Sequence, residues 1–292
     1  QRDRASMSEE NAKVLPFLEH LAELRKRLII IIVAVIIGMG LAWNISDDVL
    51  HFVTKPITGK TYLTDIKKQV YEEVGKRWPA AYQQFELGKE VNAEPKERKL
   101  NYSAPLEPFF VQCKISVIAG FILALPIVFY QLWLFIAPGL TRKEKRLVIP
   151  FVSVSTVSFC VGALFFLIII WPVIINFSLS YEAEGLNSLF NMSAYINFCL
   201  RLILMFGLIF ELPILLLLLS RFGVVTYPFL ARNRRYALLA SAIVAAFHAD
   251  LITMFVIMVP LYGMYEIGVW LVFLFGKRKP VVAEAAAGGD GE

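Results

Sequence analysis

The chain has 292 residues, a formal charge of +5, 58% hydrophobic residues and 18% charged ones, where soluble domains carry about 45 to 50% apolar and about 25% charged residues. That balance excludes a soluble globular protein and points to an integral membrane protein. The basic residues fall in short clusters between apolar runs rather than along one stripe, so no nucleic-acid partner is expected.

In chain order, the N-terminus shows no cleavable signal pattern. The residues ahead of Met7, QRDRAS, read as appended, with Met7 the expected native start. Residues 1–27 are expected to form a cytoplasmic segment ending in an amphipathic helix, because Phe17, Leu21, Leu24 and Leu28 share one helical face. Glu23 stands on another face, spaced to pair with Arg27 one turn on for about 0.3 to 0.5 kcal/mol.

Apolar runs then cover Leu28 to Trp43, Ser116 to Ala137, Leu147 to Ile175, Phe198 to Leu219, Tyr236 to Phe247 and Leu251 to Phe275. A span needs about 20 residues at a rise of about 1.5 Å. The fifth run is too short to cross a full-thickness bilayer, so thinning or packing has to compensate. The expected fold is all-α, with six transmembrane helices in one domain over 28–275, bent and concave, the fifth and sixth spans short.

Orientation follows from Lys and Arg. RKEKR at 142 to 146 has four, Phe222 to Arg235 has three and Gly276 to Pro280 has three, whereas Asn176 to Ser193 and His248 to Asp250 have none. The positive-inside rule puts both ends in the cytoplasm, with residues 276–292 as a cytoplasmic tail. The loop at 44–109 balances ten basic against ten acidic residues, and a loop of that length escapes the rule and lies outside. Within it, Ile66, Val70, Val74 and Trp78 recur every four residues between Thr64 and Pro79, predicting an amphipathic cap helix. Pro126, Pro150, Pro172, Pro213 and Pro260 fall inside the spans and are expected to bend them.

Little of the chain points to catalysis. Cys113, Cys160 and Cys199 show no ligand spacing and read as packing residues. Thr54 to Thr61, TKPITGKT, lacks the first glycine of a phosphate loop and any βαβ context. No enzymatic activity, metal or cofactor is expected, so work has to draw on a partner or on the membrane potential, about 2.3 kcal/mol per charge per 100 mV.

The carboxylates that remain carry the functional reading. Glu211 interrupts LIFELPILLLLL, at a cost of about 2.5 to 3.5 kcal/mol at a bilayer centre. Pro213 frees the Ile209 carbonyl beside it, and together they point to a wet hollow or a polar partner inside the bundle. Glu144 sits in a Thr141-x-x-Glu144 capping box, while Tyr130, Trp133 and Phe135 crowd the same edge. Asp250 has the type and place of a cap on the sixth helix.

FLEHLAELRKRL, YQLWLFIAPGLTRKEKR, FELPILLLLL and PLYGMYEIGV stand in this order in the sequence, and together they resemble the TatC family of the twin-arginine protein translocase over about Phe17 to Lys279. The resemblance implies a receptor in the bacterial cytoplasmic membrane that binds twin-arginine signal peptides of folded cargo and works with TatA-like and TatB-like single-span subunits, the proton-motive force, membrane lipid and further copies of itself. It places Glu23 and Glu144 in the signal-binding patch, with Arg25, Gln131 and Phe135 beside them. It also places Pro56 just after the first span, Glu211 as the buried acid of the fourth, and Asp250 at the outside end of the fifth and sixth. The chain departs from the family's Thr-Pro-Pro-Asp with Phe247-His248-Ala249-Asp250, and it has Met254 where a glutamine is common. The competing reading, a proton-coupled small-solute carrier using Glu211, predicts internal repeats and broken helices that the sequence does not display.

Overall fold

The computed structural model describes residues 2–57, 73, 76, 77, 100–136, 148–180, 190–246 and 251–276, with the side chains of 2–20, 180, 251 and 252 left aside. The described chain is helical: α1 (Arg2–Ala42), α2 (Ser46–Thr54), α3 (Glu107–Ile136), α4 (Val148–Phe165), α5 (Trp171–Ser180), α6 (Met192–Arg221), α7 (Tyr227–Arg232), α8 (Arg234–Ala246) and α9 (Leu251–Phe275). Five stretches are long and apolar enough to cross a membrane: Leu21–Thr54, Glu107–Phe135, Val148–Leu179, Met192–Arg221 and Thr253–Phe275. The chain is therefore a multi-pass helical membrane protein. The described part of α8 has 13 residues, about 20 Å at 1.5 Å per residue. The last helix corrects the expectation of a short sixth span. It runs 25 residues through Pro260, because its one acid, Glu266, is paired with Arg234 and one proline bends a membrane helix without ending it.

Of the five span prolines, Pro126, Pro213 and Pro260 lie inside helices. Pro150 lies three residues into the described part of α4. Ahead of Pro172 the helix widens into a π turn, Phe166–Ile170, closed by the Trp171 N–H on the Phe166 carbonyl. That widening is one way a helix accommodates a missing donor. Residues 73, 76 and 77 of the expected loop helix are helical. Ile66, Val70, Val74 and Trp78 lie outside the described side chains.

The described helices form two compact units, Gln1–Phe206 and Gly207–Glu292. In the first, α1 and α3 run antiparallel at backbone contact. A Cβ added at Gly38 would overlap the Gly120 carbonyl, and one at Gly120 would overlap the backbone of Met39. Eight residues on from Gly38 and eight back from Gly120, Gln112 Nε2 donates to Ser46 Oγ at 3.0 Å and to Asp47 Oδ1 at 3.2 Å. The two contacts fix one register.

In the second unit, α9 packs on α6 where Gly268 meets Pro213 and Leu216, while Leu230, Val269 and Val272 form a small core. Helix α6 ends at Gly223, with φ of 76°. The Val224 N–H reaches the Leu219 carbonyl and the Gly223 N–H the Ser220 carbonyl, both at 3.0 Å, the Schellman pattern that calls for glycine in a left-handed conformation.

Candidate functional site

The α1–α3 register decides what stands beside Glu23. Glu23 lies fifteen residues before Gly38, and Phe135 lies fifteen after Gly120. Each is about 22 Å from the glycine contact, toward the same end of the antiparallel pair. By the same count Arg27 comes level with Gln131. Residues 112 and 104 positions apart in the chain thus stand at matching depths.

At that depth the Arg27 guanidinium donates through Nη2 to Glu23 Oε1, the pair that the i,i+4 spacing foretold. The Glu23 side chain keeps 34% of its surface exposed. Its second oxygen accepts no hydrogen bond from the described residues, and a carboxylate has room for several donors. Arg27 Nε is buried with no partner among the described residues. Arg25 is exposed, Gln131 is buried and Phe135 is half-buried. Tyr130 is exposed, whereas Trp133 turns inward and meets Phe151 edge-on, 5.2 Å between ring centroids. Trp133 therefore holds α3 on α4 rather than joining an interfacial belt. Glu144 and Asp250 lie outside the described residues, as do Phe247, His248 and Ala249.

Glu211 is half-buried, with its Oε1 fully enclosed, on α6 between buried Phe210 and buried Pro213. Its helix meets Gly268 of α9 half a turn further on, at Pro213. The carboxyl thus lies two residues before Pro213, where α6 contacts Gly268 of α9.

Pro56 is buried, and its surroundings are structural. Trp171 Nε1 and Tyr195 OH both donate to the Val53 carbonyl, each at 2.9 Å. That carbonyl is one of the acceptors that the end of α2 leaves without a helical partner, since the Ile57 N–H turns back to Thr54 instead. Trp171 packs on Tyr195 at 4.8 Å and on Phe166 at 5.7 Å. The segment holding Pro56 is thereby clamped to α5 and α6. A buried indole and phenol each need an acceptor, the only sequence signal for a clasp whose partners lie 118 and 142 residues apart.

Two further polar groups escaped the sequence reading. Glu107 accepts the N–H groups of Ser103 at 2.6 Å, Ala104 at 3.3 Å and Ser193 at 2.9 Å, so one carboxylate caps α3 and reaches the start of α6. Glu266 pairs with Arg234 at 3.0 Å and accepts from Tyr262 OH at 2.8 Å, while Tyr265 OH donates to the Leu230 carbonyl at 2.9 Å. The motif PLYGMYEIGV therefore ties α9 to α7 and to the start of α8.

A family model described as Sec-independent protein translocase protein (TatC) matches residues 19–260. The Sec-independent protein translocase protein TatC of Desulforapulum autotrophicum is 33% identical over 96% of this chain and 92% of its own length. That of Aquifex aeolicus is 34% identical over 93% of this chain and its whole length. A crystal structure of the twin arginine translocase receptor TatC superposes with a TM-score of 0.65 at 33% identity, covering 87% of this chain and 98% of that one. A second, in the detergent DDM, gives 0.68 over 89% and 100%.

Proposed function

Because the chain belongs to the TatC family of Sec-independent protein translocase proteins, we propose that it is the receptor that binds twin-arginine signal peptides and organises the passage of folded proteins across the membrane. The observation that carries this reading is the α1–α3 register, which brings Glu23 and Arg27 level with Phe135 and Gln131.

Guanidinium is planar and forks onto carboxylate oxygens, whereas an ammonium is a point charge, so arginine engages a half-paired carboxylate better than lysine does. One exposed pair contributes only about 0 to 1 kcal/mol. Two charge-assisted contacts at about 1.5 to 3 kcal/mol each give a usable affinity when apolar contacts add to them. Glu23 and Glu144 supply the two carboxylates, Phe135 the apolar surface, and Gln131 and Arg25 the flanking polar groups. In the sequence, Glu144 follows Phe135 by nine residues.

Six spans with both ends in the cytoplasm fit the charge pattern, α8 serving as the short fifth. The membrane is the bacterial cytoplasmic membrane, and the single-span partners are TatA-like and TatB-like. The chain acts as a receptor and assembly platform, not an enzyme, and transport is driven by the proton-motive force. Glu211 serves as an intramembrane polar site and Asp250 as a contact on the outside face. Pro56 acts through the clamp at Val53 rather than by touching cargo.

The test is site-directed crosslinking of a twin-arginine peptide to the membrane-embedded chain. Glu144→Lys is expected to abolish the crosslink at Phe135. An undiminished crosslink removes Glu144 from the site.

A further inference from the structure

Two cations sit where a span should have none. Lys114 lies seven residues into α3 and Arg201 nine into α6, about 10 Å and about 14 Å from the helix starts at 1.5 Å per residue. Both are exposed. Lys114 Nζ donates to Asn197 Oδ1 at 3.0 Å, and Arg201 follows Asn197 by four residues on the same face of α6. Lys114, Asn197 and Arg201 therefore make one polar patch within the first unit. Among the described residues neither cation forms an ion pair. The nearest acid on α3, Glu107, already accepts three backbone N–H groups.

The flanking surface is apolar and open. Val117, next along α3 from Lys114, is 40% exposed, and Leu208, two turns beyond Arg201, is 63% exposed. Along both helices the patch is thus cationic toward the end that carries residues 100–107 and apolar below it. That polarity matches a phospholipid, whose phosphate lies at the interface and whose chains run inward. Long basic side chains in such a position snorkel toward the headgroups, and a guanidinium and an ammonium are the two side chains that hold phosphate best.

We propose that Lys114, Asn197 and Arg201 form a binding site for the phosphate of an anionic phospholipid headgroup in the leaflet facing the 44–109 loop. The site does not depend on the receptor reading, since it lies toward the opposite end of α3 from Phe135. The full-length chain is placed in phosphatidylcholine nanodiscs with and without phosphatidylglycerol, and lipid retention is read by native mass spectrometry. The chain is expected to retain phosphatidylglycerol, and the Lys114→Gln, Arg201→Gln double variant to retain it about tenfold less, as the loss of charge-assisted contacts implies. A charge-preserving pair, Lys114→Arg with Arg201→Lys, is expected to keep retention close to the parent, which separates loss of charge from loss of fold. Equal retention by the parent and the neutral variant overturns the proposal, and so does equal loss in the charge-preserving pair. Displacement of the lipid by inorganic phosphate would reduce the site to a free-anion contact. Loss of a single-span partner subunit from the neutral variant, with lipid retained, would make the patch a protein contact, and the lipid assignment would fall.

Discussion

The two ends of the first unit are built on opposite terms. At the end carrying residues 100–107, the polar groups are tied across the chain: Val53 by Trp171 and Tyr195, Glu107 by three backbone donors, and Asn101 by the Phe190 carbonyl and the Met192 N–H. At the other end, Glu23 holds Arg27 with one oxygen, Arg27 Nε has no partner among the described residues, and both side chains keep part of their surface open. Satisfied buried polar groups fix a structure, and half-satisfied ones leave capacity for a ligand. One end is tied as a scaffold; the other keeps the open polar capacity that the proposed receptor reading needs.

The sharpest way to break the contrast is Trp171→Ala. It removes a buried indole and a donor, and is expected to cost about 3 to 5 kcal/mol, read by thermal unfolding in detergent. A loss below 1 kcal/mol would mean that the clamp holds nothing. Next, Gly120→Leu forces side-chain volume into the backbone contact with Gly38 and Met39. It is expected to destabilise by about 1 to 3 kcal/mol and to weaken peptide binding at the far end by disturbing the register. Peptide binding unchanged beside a clear loss of stability would detach the site from the register.

Tyr195→Phe leaves Trp171 on the Val53 carbonyl, so only about 0.5 to 1.5 kcal/mol should be lost, with peptide binding intact. The smallest stability change belongs to Glu23→Gln, which gives up one partly exposed pair worth about 0 to 1 kcal/mol. Its effect on peptide binding should be large, about tenfold if one charge-assisted contact is lost. A variant that binds normally and unfolds early would make Glu23 a scaffold residue.

Much of this was legible in the sequence, and the limits have physical reasons. Apolar runs announced α3 to α6, α8 and α9 because lipid demands continuous hydrophobic surface. Helix α2 was hidden in the loop, since its nine residues open with Ser46, Asp47 and Asp48 and carry no apolar run. The Glu23–Arg27 pair was visible because helical spacing is local. The Val53 clasp, the Gly38–Gly120 contact and the Arg234–Glu266 pair were not, since each joins residues that only the packing of separate helices brings together. The sequence grouped Trp133 with Tyr130 and Phe135 at one edge, and its packing on Phe151 was hidden for the same reason, since the two rings belong to separate helices.

The central claim is that two carboxylates select paired guanidiniums. The most direct measurement is equilibrium binding of a twin-arginine peptide and its twin-lysine counterpart to the purified chain and to the Glu23→Gln, Glu144→Gln double variant. The account predicts that the parent prefers the arginine peptide and that the preference disappears in the double variant. Equal binding of both peptides by the parent, or a preference that survives loss of both carboxylates, would contradict it.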